Sequence, residues 1–480
     1  MHRASAIQGL CVLLGLLLCQ SAGAVRLSID NSGEVLLFPL FLTGDGFQTV
    51  FEIRNRDSQG KALRFVTKDP VNGRPTQSIN VYLKPNDSWS GALFDPETET
   101  TTLTGATARL RRWTDDSCTF PTADTVSADG LPLSDQEFTE DLGDLIVPTR
   151  LAFGFVEVYE MGTLDPALVS DCDAIAQRWD SNGVWGSGSD EARNADIGEP
   201  TGGIEGYAVI INTESGRAHQ YEALALADFR DAPLHTAPGS GRRPNLSDVQ
   251  PAESRILETV EFGNRTLLVE RVSTWSASPV NAIDALLMTV SARTDYSTSS
   301  QLRAVALTVL TFPTRPYHSD HQGYYLDSPD DRSMAPFRVS VPPQAGESLQ
   351  DNKIAVTAIN RKGESFELAP FSNATNCDLI NGTVSLVFMT SIIGFDYTCE
   401  YYRAEFRVAT NAQEGEVKYS LQGEIQSDEG HVYKGLPVYG FVIQSLLNAN
   451  IDLGGGQIGI ANYGWIRALK SERVVTDPDR

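Results

Sequence analysis

A mainly β chain, built as two antiparallel β-sandwich units (Ig-like or jelly-roll-like) with a few short helices and long inserted loops, is predicted by three features. Apolar and polar residues alternate with period two in many short runs, turn-forming clusters separate those runs, and helical periodicity is scarce.

The first clear run is Phe47–Arg54, where Phe47, Thr49, Phe51 and Ile53 share a face and Gln48, Glu52 and Arg54 mark the other as solvent-facing. Leu63 and Phe65 repeat the pattern around Arg64, and Ile79, Val81 and Leu83 repeat it against Asn80, Tyr82 and Lys84. Asp57-Ser58-Gln59-Gly60, Asn72-Gly73 and Pro85-Asn86-Asp87 supply the turns between them. The runs Leu151–Tyr159, Gly206–Asn212 and Arg303–Phe312 are apolar on both faces and are expected to be central strands.

Helices punctuate the strands. Ser134-Asp135-Gln136-Glu137 is a capping box, with Leu133 and Phe138 at the staple positions. Ser170 is placed to cap a short helix ending at Trp179. Ser278-Pro279 opens a third helix, with Ile283, Leu286, Leu287 and Val290 on one face. Thr114–Pro132, Asp180–Gly202 and Asp231–Pro251, rich in Gly, Asp, Ser and Pro, read as surface excursions between strands. Strand patterning lapses from Tyr317 to Pro336 and resumes in Phe337–Val341, Ile354–Ile359, Val384–Met389, Tyr402–Val408 and Val417–Leu421. The expected units are therefore residues 25–320 and 335–480.

Residues 1–24 read as a signal peptide: His2 and Arg3, an apolar run from Leu10 to Leu18, and small residues at Ser21-Ala22-Gly23-Ala24. No later stretch reaches the length of a membrane-spanning helix, so an exported chain without an integral segment is expected, periplasmic or at the cell surface. Over 480 residues, 38 Lys+Arg stand against 62 Asp+Glu, a net charge of -24, which disfavours nucleic acid as a partner. The hydrophobic share of 41% is enough for sizeable cores.

With Cys11 and Cys19 in the leader, Cys118, Cys172, Cys377 and Cys399 remain, and they permit three pairings. In an oxidising compartment the nearest pairs are Cys118 with Cys172 and Cys377 with Cys399. A metal site is the rival reading, although no two of these cysteines have C-x-x-C spacing.

The search for catalytic motifs finds no H-E-x-x-H, G-x-S-x-G, Walker or EF-hand pattern, and no catalytic residue is assigned. His318-Ser319-Asp320-His321 resembles a metal cluster but reads as solvated loop histidines, given Pro316 and Gly323 beside it. Gly454–Gly459 fits a nucleotide-binding glycine pattern, yet a strand follows it, so a hairpin connection is expected. Glu157 and Glu160 sit at odd spacing on one strand. Asp171 with Asp173, and Asp327 with Asp330 and Asp331, are loop clusters with oxygen ligands suited to Ca²⁺, the one cofactor considered; the bland alternative is a solubilising loop. Trp89, Trp113, Trp179, Trp185, Trp275 and Trp465 offer either core anchors or a stacking platform for sugars. Sequons stand at Asn86, Asn245, Asn264, Asn373 and Asn381.

Several segments carry a resemblance. Gly33–Pro39, Gln48–Asn55 and Tyr82–Trp89 look like the opening of an uncharacterised family of exported, Sec-dependent proteobacterial β-rich proteins. Gly202–Gly206 with Ala225–Phe229 resembles its middle block, and Leu310–Arg315 and Gly435–Phe441 resemble two later ones, although Pro316-Tyr317-His318 departs from its aromatic continuation. The resemblance implies a bacterial envelope or secreted protein and brings no active site. The expected function is non-enzymatic, in surface structure, adhesion or binding of a protein or glycan at the cell surface. The alternative is a secreted carbohydrate-binding protein or glycoside hydrolase, whose carboxylate pair would stand about 5 Å or roughly 6.5–9.5 Å apart.

Overall fold

In the computed structural model the described residues are 23–44, 46–96, 108–112, 115–121, 130–134, 148–186, 188–239, 242–262, 265–298, 304–320, 322–325, 334–341, 353–366, 383–385, 389–395, 406–408, 414–446, 451–454, 457–459 and 462–478. The chain is mainly β, with several antiparallel sheets and short helices, as its alternation predicts. Residues 1–22 of the leader, the Ser134 capping box beyond its first residue, Cys377, Cys399, Asp327, Asp330 and Asp331 lie outside the described residues.

The first sandwich stacks a seven-stranded sheet on a six-stranded one. Strand order in the seven-stranded sheet is Arg26–Leu27, Leu224–Ala227, Val35–Leu42, Phe153–Leu164, Gly60–Lys68, Pro75–Leu83, Cys118–Phe120. The other runs Arg217–Glu222, Ile204–Asn212, Phe47–Asn55, Ser88–Phe94, Arg109–Arg112, Leu131–Pro132. Phe38, Phe51, Phe65, Ile79, Val81, Trp89, Val156 and Val158 fill the space between them. Phe47–Asn55 keeps the half-wet alternation its sequence predicts.

Its neighbours across the core do not. Gly60–Lys68 is buried along its whole length and Pro75–Leu83 nearly so, with Arg64, Asn80 and Tyr82 shut off from water. The excursions expected at the surface fold back over this face. Arg64 donates to Thr236 Oγ1 (2.8 Å), the Ala237 carbonyl (2.7 Å) and Ser78 Oγ (3.0 Å), and Asn80 donates to the Thr236 carbonyl. Polar side chains here are satisfied by protein instead of solvent, so their pattern mimics an exposed face. Of the three expected central strands, Phe153–Leu164 and Ala304–Thr311 are central, whereas Ile204–Asn212 lies one strand from an edge with a half-exposed outer face.

Two helices and the Trp185 loop cover one end of that face, burying Met161, Ile175 and Trp185 with Tyr82. The helix Cys172–Trp179 is capped by Asp171, whose carboxylate accepts from the Ala174 amide, while Ser170 closes the preceding turn Pro166–Val169. The residue adjacent to the first turn wins the cap, and carboxylates suit the helix N-terminus. The helix Asn281–Leu287 covers the other end and is buried all round instead of on one stripe, because sheet and loops enclose it.

The second sandwich pairs a six-stranded sheet (Ser365–Phe366, Lys353–Asn360, Glu414–Ser420, Ser291–Ser297, Lys470–Glu472, with Thr383–Ser385 also on Lys353–Asn360) with a five-stranded one (Phe406–Val408, Thr390–Phe395, Ala304–Thr311, Tyr439–Leu446, Tyr463–Ala468). These pairings cross the expected 320/335 division, since Ser291–Ser297 and Ala304–Thr311 hydrogen-bond to strands from beyond residue 389. Along Ala304–Thr311, Ala306 and Leu310 face the second core, while Val305, Leu307 and Val309 join the first. One apolar core therefore continues from sandwich to sandwich. A separate hairpin, Glu253–Phe262 with Arg265–Thr274, exposes Leu257 and Leu268 on one face.

Candidate functional site

Tyr463–Ala468 is the edge strand of the five-stranded sheet, and period two divides its side chains. Ile466 packs on the shared core, which leaves Tyr463, Trp465 and Arg467 together on the opposite face. Trp465 and Arg467 line an open groove of about 540 Å³ at the end of the second sandwich. Across it stand Asp295, Tyr296 and Ser297 from one strand, Asn360 from the end of a second with Arg361 in the turn after it, and Glu414 and Glu416 from a third.

Gln444 joins the two sheets beneath. Its Nε2 donates to the carbonyls of Ser297 (3.0 Å) and Val305 (2.9 Å), and its Oε1 accepts from the Ser297 amide (3.0 Å). A buried amide with these bonds holds the groove wall in one register. Trp465 is 36% exposed and Tyr463 59%, while Trp89, Trp179, Trp185 and Trp275 are buried. Those four are the core anchors the sequence allowed for; Trp113 lies outside the described residues. The Arg467 guanidinium sits 5.7 Å from the centre of the Trp465 ring and 3.3 Å from Asp295. Lys470 lies 3.5 Å from Asp295 and 3.9 Å from Glu416, and Arg361 meets Glu414 at 2.5 Å.

The lining is an exposed ring flanked by planar donors and acceptors, which suits stacking and directed hydrogen bonding. Each carboxylate on the groove is engaged by Arg or Lys, an arrangement that fixes charge in place for recognition.

Other expected sites resolve differently. Cys118 and Cys172 form a disulfide, tying the edge strand Cys118–Phe120 to the start of the helix that follows Asp171. Phe120 stacks on Trp179 beside it, with ring centroids 5.0 Å apart. Asp171 is committed to its cap and Asp173 to the first helical turn, and among the described residues no three potential ligands cluster for a metal. His318 is a core residue, not a solvated loop histidine: it lies on the turn Pro316–Ser319, 1% exposed, with Nε2 2.7 Å from Asp284 Oδ2. His321 lies outside the described residues. Ile451–Gly454 pairs antiparallel with Gln457–Gly459, so the Gly454–Gly459 stretch belongs to a hairpin, whose connecting residues 455–456 lie outside the described residues.

A second concentration of charge is buried on the seven-stranded sheet. Lys61 meets Glu160 at 2.7 Å, and Lys68 meets Glu157 at 2.5 Å. The odd spacing of the two glutamates thus sends each to a different lysine. The sequence marked the two glutamates by their odd spacing but carried no sign of Lys61 and Lys68 as their partners. Its partners are brought together only by the register of adjacent strands.

Among the described residues, no helix is long and apolar enough to cross a membrane. No family model, curated protein or solved structure matches the chain.

Proposed function

We propose that this chain is an exported, non-enzymatic β-sandwich protein of the bacterial envelope or exterior, and that the groove beside Trp465 binds a saccharide. The observation that carries the reading is the exposed Trp465 ring beside Arg467 and Asp295 on a wall held by Gln444. A sugar ring offers an apolar face for stacking and hydroxyls for the flanking guanidinium, carboxylate and amide groups. The Cys118–Cys172 bond supports an oxidising compartment, and the leader and family resemblance support export. Binding is favoured over hydrolysis because the groove carboxylates are taken up by basic partners, whereas a glycosidase needs one carboxyl free to deliver a proton.

Calorimetric titration of the purified chain with panels of neutral and acidic oligosaccharides tests this. Saccharide binding that Trp465→Ala weakens at least tenfold is expected. Binding unaffected by that substitution moves the site elsewhere, and release of reducing ends would replace the reading with the hydrolase.

A further inference from the structure

The two buried lysine–glutamate pairs of the seven-stranded sheet differ in how their charges are solvated. Around Lys61 and Glu160 the protein replaces water. Lys61 Nζ donates to the Gly202 carbonyl (2.8 Å), and Glu160 accepts from the amides of Thr201 (3.0 Å) and Gly202 (2.8 Å). Such a shell compensates the burial of both groups.

Lys68 and Glu157 have no such shell. Their side chains are 2% and 0% exposed, and among the described residues neither Lys68 Nζ nor Glu157 Oε1 has a hydrogen-bond partner beyond the ion-pair contact. Aromatic rings surround the amine: Tyr325 at 4.7 Å, Phe155 at 5.8 Å and Tyr317 at 6.0 Å from Nζ to the ring centres. The two residues are diagonal neighbours on adjacent strands, since Lys68 pairs with Phe155 and Val66 pairs with Glu157. Tyr159 Oη donates to the carboxyl group, 2.6 Å from Oε2.

The geometry points to a covalent isopeptide bond between Lys68 Nζ and Glu157 Cδ in the mature protein. In this apolar pocket the proton of the ammonium passes to the carboxylate, because two neutral groups cost less to bury than two poorly solvated ions. Burial also pushes the Lys68 ammonium down from its ordinary range, against the pull of Glu157, which favours the nucleophilic amine. The amine lone pair then attacks Cδ, while Tyr159 Oη holds Oε2, the oxygen that Lys68 contacts and that departs. A second proton moves from nitrogen to the departing oxygen, the Cδ–O bond breaks and water leaves. In sum, an ammonium and a carboxylate become one amide and one water, with no oxidant or other reactant. Fixed proximity on adjacent strands supplies the effective concentration, and exclusion of solvent opposes hydrolysis of the product. The bond would staple the middle strand of the sheet, Phe153–Leu164, to its neighbour Gly60–Lys68.

Intact mass of the purified, reduced and denatured chain, followed by tryptic mapping, tests the bond. Expected are a mass one water below that of the processed polypeptide, no tryptic cleavage after Lys68, and a branched peptide joining Lys68 to Glu157. Lys68→Met and Glu157→Leu should each restore the missing water, a reading that does not require the variants to fold. The full polypeptide mass, cleavage after Lys68, or a water loss mapped to other residues overturns the proposal.

Discussion

Asp320 and Arg74, 246 residues apart, meet in the interior with Oδ2 3.1 Å from Nη2 and side chains 0% and 5% exposed. Arg74 also lies over the Tyr324 ring, 4.4 Å from its centre. The pair locks the segment after Thr311 onto the turn before Pro75, and Thr311 Oγ1 adds a bond to the Pro39 carbonyl at 2.7 Å.

Asp320→Ala is expected to cost about 3–5 kcal/mol in urea unfolding, because it removes the carboxylate that meets a buried guanidinium and accepts from the amides of Gln322 and Tyr324. Replacing both residues with apolar ones should recover part of that loss. A single variant within about 0.5 kcal/mol of the parent would show that Arg74 is satisfied without Asp320.

Acid should weaken the fold through its histidines. Burial pushes the His235 imidazole down to about 3 and His219 to about 4, from an ordinary 6.5. Below 6.5 the unfolded chain binds protons at these sites that the folded chain refuses, so stability falls as pH falls toward those values. Burial pushes Glu34 up to about 7 from 4.5, so it works the other way: the folded chain takes its proton first, and stability rises between those values on acidification. Buried Asp69 and Glu160, also pushed up by burial, act in the same direction as Glu34, so the histidine contribution is isolated by substitution. The penalty of His235→Gln should therefore shrink by about 2 kcal/mol between pH 6.5 and about 4.5. Chemical denaturation at both pH values measures it, and a constant penalty would mean that folded His235 takes up the proton.

Reduction of Cys118–Cys172 frees a loop of 54 residues. Chain entropy assigns that closure about 4 kcal/mol, so Cys118→Ala with Cys172→Ala should lower the thermal midpoint by several degrees. A midpoint unchanged by the double substitution would assign the constraint to the Phe120–Trp179 stack instead.

Among the tryptophans of the described residues, Trp465 should dominate the part of the fluorescence that acrylamide quenches. Trp465→Phe is expected to reduce quenching while leaving stability within about 0.5 kcal/mol, since the ring is partly in water. Quenching as strong as in the parent would place the accessible indole elsewhere.

Local pattern carried far. Phe47–Asn55 could be assigned residue by residue, and the Cys118–Cys172 bond followed from spacing and compartment. The groove was half legible: Tyr463, Trp465 and Arg467 repeat at every second position of one strand. Asp295, Asn360 and Glu414 carry no such signal, because they meet that strand only when the two sheets close over each other.

By itself, then, the sequence determined the β class, the turns and which residues share a strand face, since backbone geometry sets the period of two locally. Tertiary structure alone decided whether a polar face meets water or protein. Arg64, Asn80 and His318 look like solvent-facing residues until Thr236, Ala237 and Asp284 arrive from distant segments to bond them. It also decided that Ser291–Ser297 and Ala304–Thr311 belong with strands from the end of the chain. Strand partners are chosen by long-range hydrogen bonding and the burial of apolar faces, and neither quantity is written in the residues next door.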